Sequence, residues 1–296
     1  LDRADILVEN YRPGVLDRLG FGAEVLRRDW PRLIHCSITG FGATGPYSSR
    51  PAFDTIGLAL SGIAASQLDP EDPQIAGPTV SDYVTGLYAC NGILTALHER
   101  ERTGVGRRVE VNLLECSIAL MADYVATYTQ RGIVSKPITR TAASQAFAFR
   151  CGDHKLIAVH LSRHEKFWTN LLAALGQEKL ASQEKFASRQ ARIDNYVELR
   201  QTLEAVFLTQ PRRHWMTLLE QNDVPFAPVN DTAEVCADPQ VQHLGTLCPT
   251  SHPTEGKMVG IRNPVRFDGE RPDVIPAPTL GEHTAGILTE LGFDAK

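Results

Sequence analysis

The feature that most restricts the fold of this chain is a spacing near its start. An aliphatic run, Ile6-Leu7-Val8, is followed by helical turns at 15–20 and 23–28, then by a second β-rich run at 32–38. Strand, helix and strand within roughly 35 residues make a βαβ unit, and its crossover forces the two strands to lie parallel. A third run at 108–113 sets Val109, Val111 and Leu113 against polar neighbours and reads as another strand. The first run reads as a buried strand. It empties into the polar turn Glu9-Asn10-Tyr11-Arg12-Pro13-Gly14, so polar groups gather at a strand's C-terminal end.

The loop Thr39-Gly40-Phe41-Gly42-Ala43-Thr44-Gly45 is rich in glycine but has no Walker lysine, and it does not run straight into a helix. Tight turns account for it better than a phosphate cradle. Asp54 is placed to cap a helix over residues 56–64, and Asp82 stands where a Pro/Gly-bearing loop becomes an apolar helix. That second helix carries Val84, Leu87, Tyr88, Leu94 and Leu97 at helical spacing, a broad apolar side that predicts deep burial. Residues 115–129 read as one further helix.

From about Lys136 the character changes. A polar irregular stretch at 137–144 precedes strands at 146–149 and 156–159, joined by Cys151-Gly152-Asp153. Helices at 164–175, 194–208 and 214–221 follow, with Trp168 and Trp215 on their apolar faces as core residues. A hairpin followed by helices predicts a small α+β domain over 141–235. Pro225-Phe226-Ala227-Pro228-Val229 and the Pro/Gly-rich segment after Cys248 are expected to lead back toward the first domain, with a last helix at 281–291.

Composition narrows the class of partner. A charge of −5 over 296 residues, with no run of about five like charges, gives no broad attraction for nucleic acid or anionic membrane. No apolar run reaches the roughly 20 residues of a membrane span, and Leu1-Asp2-Arg3-Ala4-Asp5 does not read as a secretion signal. Six scattered cysteines without a C-x-x-C pair predict reduced thiols and no zinc site. The compartment expected is the cytoplasm, or the mitochondrial matrix in a eukaryote.

Read from its residues alone, Asp82 has two roles open to it. An aspartate before an apolar helix is a preferred N-cap, worth about 1 kcal/mol. The positive end of a helix also keeps a carboxylate ionised, which is the form that attacks a carbonyl. His35, His160, His164 and His283 fit neither a nucleophile elbow nor a metal motif, and read as structural or surface residues.

The words Val8-Glu9-Asn10-Tyr11-Arg12-Pro13-Gly14-Val15-Leu16-Asp17-Arg18-Leu19-Gly20, Ser37-Ile38-Thr39-Gly40-Phe41-Gly42 and Arg50-Pro51-Ala52-Phe53-Asp54 resemble, in this order, those of the class III coenzyme A transferases. So do Asp82 with Gly86, Gly92-Ile93-Leu94, Arg102-Thr103-Gly104-Val105-Gly106, Val224-Pro225-Phe226-Ala227-Pro228-Val229 and Leu280-Gly281-Glu282-His283-Thr284. The family also holds formyl-CoA transferase, carnitine CoA-transferase and α-methylacyl-CoA racemase.

The resemblance implies an α/β fold. Its large Rossmann-like CoA-binding domain would comprise 1–140 and 236–296, with a small α+β domain at 141–235. It further implies a homodimer with interlocked chains, and an upstream strand–helix unit in relatives that this sheet is expected to lack. By the same resemblance Asp82 is the covalent nucleophile and Asn10, Tyr11, Arg12 and Arg18 lie along the CoA groove. The substrates implied are acyl-CoA and a small carboxylic acid, with no tightly bound cofactor and no metal. Phe53 stands where the racemase branch has a histidine, and phenylalanine transfers no proton; it reads as a core aromatic or a pocket wall. Gln145 lies where relatives carry a glycine-rich loop over the aspartate, and takes a polar role in the substrate pocket. A racemase, and an inactive truncated relative that only binds acyl-CoA, are the alternatives.

Overall fold

Three strands form the parallel sheet that the βαβ spacing requires. They are β1 (Ile6–Glu9), β2 (Ile34–Thr39) and β3 (Arg108–Asn112), in the order β1-β2-β3. Helices α1 (Val15–Arg18) and α2 (Ala23–Asp29) make the first crossover. The second crossover is longer and contains α3 (Asp54–Ser61) and α4 (Val80–Thr103). After β3 come α5 (Leu113–Leu120), α6 (Ala122–Arg131) and α7 (Thr139–Ser144). This computed structural model describes residues 1–293. The chain divides into two units, and Leu1–Ala146 with Arg192–Asp194 make up the first.

Within this unit α4 is the spine. Its 24 residues extend about 36 Å at 1.5 Å per residue. Buried Arg100 anchors the C-terminal end, donating to the carbonyls of Asp5 (3.3 Å) and Arg32 (3.1 Å) and pairing with the Asp5 carboxylate at 3.0 Å. Small residues let α4 approach its neighbours closely. A Cβ added to Gly57 of α3 would sit 2.1 Å from Ser81 Oγ.

Several expectations need correction here. β1 is not buried: Val8 is half exposed, and among the described residues this edge strand pairs only with β2. Asp54 does not cap its own helix, whose N-cap is Phe53. Deep burial of α4 fails as well, since its neighbours cover Ser81, Val84, Thr85, Ala89 and Ala96 but leave Tyr83, Leu87 and Leu94 facing out. The helix expected at 115–129 breaks at Met121, and the irregular stretch before Gln145 contains α7.

The second unit comprises Phe147–Ala191 and the described residues from Asn195 on. Its sheet has the order β4-β5-β6, from β4 (Ala146–Arg150), β5 (Leu156–His160) and β6 (Phe226–Pro228). The Pro225 to Val229 word therefore supplies a strand, where the sequence reading expected a connection. Helices α8 (Glu165–Leu175), α9 (Arg189–Asp194), α10 (Tyr196–Phe207) and α11 (Arg212–Gln221) lie between β5 and β6 in the chain. Phe147, Phe149, Tyr196, Phe207 and Trp215 form a run of ring contacts, and the Trp215 indole N–H donates to the Phe207 carbonyl at 2.8 Å. Trp168 and Trp215 are buried, as their helical faces predict. Beyond β6 stand α12 (Thr232–Ala237), α13 (Pro239–Leu244), the hairpin β7 (Leu247–His252) and β8 (Gly256–Ile261), and α14 (Thr284–Glu290).

Replacing Gly57 by alanine tests the α3–α4 contact. Overpacking against Ser81 is expected to cost about 1–3 kcal/mol, offset in part by about 1 kcal/mol of helix propensity. The urea midpoint should fall. An unchanged midpoint would show that α3 and α4 part easily.

Candidate functional site

Asp82 is not the N-cap of α4. That position is Thr79, which makes no side-chain capping bond, and Asp82 is the third residue of the first turn. A backbone N–H at this place has no acceptor within its own helix. The acceptor comes from α3, where Asp54 Oδ1 takes the Asp82 N–H at 3.1 Å. Asp54 is only 9% exposed, whereas Asp82 is exposed. A buried carboxylate thus holds the backbone of an open one.

The backbone is also fixed from beneath. Ser81 Oγ and Ser117 Oγ of α5 are 2.7 Å apart, both buried, and Thr85 Oγ1 donates to the Ser81 carbonyl at 2.7 Å. The electrostatics of the pair follow from this packing. Burial first, and then the charge of Asp54, push the Asp82 carboxyl above the usual aspartate range. The positive end of α4 works against that rise and favours the ionised form. The product is an accessible carboxylate of increased basicity on a rigid backbone, the properties an oxygen nucleophile needs.

A second locus lies on one face of the sheet, beside the turn that leaves the C-terminal end of β1. Tyr11 and Arg12 line a cavity of about 250 Å³ together with Glu9, His35, Ser37 and Arg108. Asn10 and Arg18 are exposed and do not line it. Glu9 Oε2 accepts the Tyr11 N–H at 2.8 Å, which fixes the start of the turn. Its Oε1 stands 3.6 Å from His35 Nε2, with both side chains 8% exposed. Burial, followed by the charge of Arg108, pushes His35 below the usual histidine range against the opposing pull of Glu9 and Glu110.

The other two expected residues lie differently. Phe53 is 78% exposed in an extended backbone and is not a core aromatic. Gln145 ends α7 with φ of 51° and is buried, its Oε1 accepting from Arg192 Nε at 2.8 Å. Sequence reasoning missed the roles of Asp54, Glu9, His35 and Ser37. Asp54 carried no signal, because its partner lies 28 residues away. His35 and Ser37 did carry one, since alternate polar residues in a β-rich run share a sheet face.

Comparison with known proteins gives the same direction throughout. The family model described as CoA-transferase family III matches residues 1–284. Human succinyl-CoA:glutarate CoA-transferase is 34% identical over 97% of this chain and 66% of its own length. Acetyl-CoA:oxalate CoA-transferase of Acetobacter aceti is 32% identical over 97% of this chain and 74% of its own. The crystal structure of a CAIB/BAIF family protein from Brucella suis superposes with a TM-score of 0.82 at 32% identity, over 97% of this chain and 75% of that one. The chain thus spans just under two thirds of the human relative's length.

The carboxylate pair makes a prediction about stability. A carboxyl whose folded pKa is raised contributes stability that is complete below its unfolded pKa and is lost as pH rises through the folded value. Asp82→Asn removes the charge facing Asp54, so it should raise the melting temperature at pH 7. Below about pH 3, where the Asp82 carboxyl is largely protonated folded or unfolded, the gain should shrink to nothing. Thermal melts at the two pH values check this, and an equal gain at both would contradict it.

Proposed function

This chain belongs to CoA-transferase family III, and we propose that it moves coenzyme A from an acyl-CoA donor to a carboxylic acid, with Asp82 as the covalent nucleophile. The observation that carries the proposal is the Asp54–Asp82 arrangement, an exposed carboxylate on a backbone that a buried one restrains. In the proposed sequence Asp82 attacks the thioester carbonyl, the C–S bond breaks, and CoA thiolate leaves an aspartyl–acyl anhydride. Thiolate then attacks the aspartyl carbonyl, releasing the donor acid and forming an aspartyl-CoA thioester. The acceptor carboxylate reverses these two steps and takes the CoA. Each step exchanges one activated acyl group for another, which divides a hard transfer into easier ones.

Tyr11 and Arg12 are proposed to meet the thioester's CoA portion at the sheet's C-terminal end, where open α/β sheets take their ligands. Asn10 and Arg18 are proposed to follow the same groove from its exposed rim. A guanidinium suits the CoA phosphates through paired charge-assisted bonds. Phe53 and Gln145 are proposed for the substrate pocket, Phe53 as a wall and Gln145 through its backbone and its tie to Arg192. The relatives whose names specify glutarate and oxalate make small dicarboxylates the first acceptors to try.

The dimer belongs to the same proposal. Tyr83, Leu87 and Leu94 leave an apolar stripe on α4, which supports a second chain as its cover. The division into a large domain of 1–140 with 236–296 and a small domain of 141–235 is likewise a proposal, drawn from the family resemblance; in the structure the described residues from Asn195 on group with the second unit. Among the described residues no helix is long and apolar enough to cross a membrane.

Purified protein with succinyl-CoA or acetyl-CoA and a panel of carboxylic acids should form new CoA esters, read by mass spectrometry. Asp82→Ala is expected to lower that rate on the order of a thousandfold or more. Turnover that survives the substitution would remove Asp82 as nucleophile. Exchange of an α-proton in deuterated water without any acceptor would favour the racemase alternative instead.

A further inference from the structure

We infer that His35 and Glu9 form a positioning couple for coenzyme A, in which the buried ring holds the carboxylate that fixes the Tyr11 turn. The inference rests on the transfer reading, because it takes the cavity beside Tyr11 and Arg12 as part of the CoA site. It assigns a task to two residues that the transfer chemistry leaves idle.

In the parallel register Glu9 lies opposite Ser37, and His35 opposite Arg108. Partners in register share a face, and so do alternate residues of one strand, so Glu9, His35, Ser37, Arg108 and Glu110 form a single polar surface. Parallel strands covered by helices are ordinarily aliphatic there. Arg108 and Glu110 are exposed, but burying Glu9, His35 and Ser37 in place of aliphatic side chains is unfavourable unless each finds a partner. These buried groups lie beside the turn that leaves the C-terminal end of β1, the side on which open α/β sheets take their ligands.

Accounting for the partners isolates one atom. Arg108 pairs with Glu110 at 2.9 Å, and Glu9 Oε2 is taken by the Tyr11 N–H at 2.8 Å. His35 Nε2 is buried and has no hydrogen-bond partner among the described residues, with Glu9 Oε1 at 3.6 Å, beyond bonding range. A buried polar atom left in this state calls for an explanation. A small closing movement of the cavity wall turns the contact into an Nε2–H···Oε1 bond. Glu9 is then gripped at both oxygens, by the ring on one and by the Tyr11 amide on the other. A ligand that packs on Tyr11 and Arg12 favours that closed arrangement, and the closed arrangement in turn favours the ligand.

Equilibrium binding of free CoA, alongside hydrogen exchange at the Tyr11 amide, tests the inference. His35→Leu should weaken CoA binding about tenfold, the worth of one hydrogen bond to a charged group, and should speed exchange at Tyr11. His35→Gln, which keeps an N–H near the Nε2 position, should restore most of both. If wild type binds CoA and His35→Leu binds it equally well, the inference is overturned while the transfer reading stands. If wild type binds no CoA, the transfer reading falls and takes this one with it. Should His35→Leu fail to fold, Glu9→Gln decides. That change keeps an acceptor for the Tyr11 N–H but removes the charge facing His35. Weaker CoA binding together with faster Tyr11 exchange supports the couple, and unchanged affinity rejects it.

Discussion

The hydrogen bond from the Asp82 amide to the Asp54 carboxylate is the constraint around which the first unit is arranged. Helix α4 begins without a side-chain cap of its own, leaving N–H groups that must be paired or hydrated. Asp54 meets one of them from the start of α3, and in doing so brings a second negative charge beside Asp82. Structure and reactivity are thereby coupled in one contact. Besides burial, the charge of the carboxylate that places the Asp82 backbone also raises the basicity of its side chain. Gly57 under Ser81, and the Ser81–Ser117 contact behind it, let α3 and α5 come close enough for this to happen. At its far end α4 is pinned by Arg100 beneath the entry of β1 and β2.

The polar end of the sheet stands in a similar relation to the turn it supports. Glu9 is the last residue of β1, and its carboxylate reaches forward to the Tyr11 amide. Strand geometry thus dictates where Tyr11 and Arg12 begin. His35, one strand over, faces the same carboxylate from below. Both loci use one device, a buried carboxylate that takes the backbone amide of a residue next to, or within, the proposed chemistry. Positions fixed in this way keep reacting groups within the narrow tolerances that catalysis needs.

Much of this architecture was legible in the residues. The βαβ spacing gave the parallel pairing of β1 with β2, and the alternation at Val109 and Val111 gave β3. The helices carrying Trp168 and Trp215 were readable from their apolar periodicity, and both indoles are buried. What escaped were relations between distant residues. Local preference assigned Asp54 to its own helix and Asp82 to a cap, because a side chain's neighbours in sequence are visible and its neighbours in space are not. The exposure of Tyr83 and Leu87 escaped for a similar reason: periodicity shows that a helix has an apolar side, not which part of that side its own chain covers. Phe53 was open to two readings, and burial excludes one of them.

The most direct test of the account is whether Asp82 carries the transferred group. Intact-mass analysis of the protein mixed with acyl-CoA, quenched with hydroxylamine and digested, should reveal a modification confined to the peptide containing Asp82. The Asp82→Ala protein should show none. A modification on another side chain, or new CoA esters formed with no covalent protein species and undiminished by Asp82→Ala, would contradict the account.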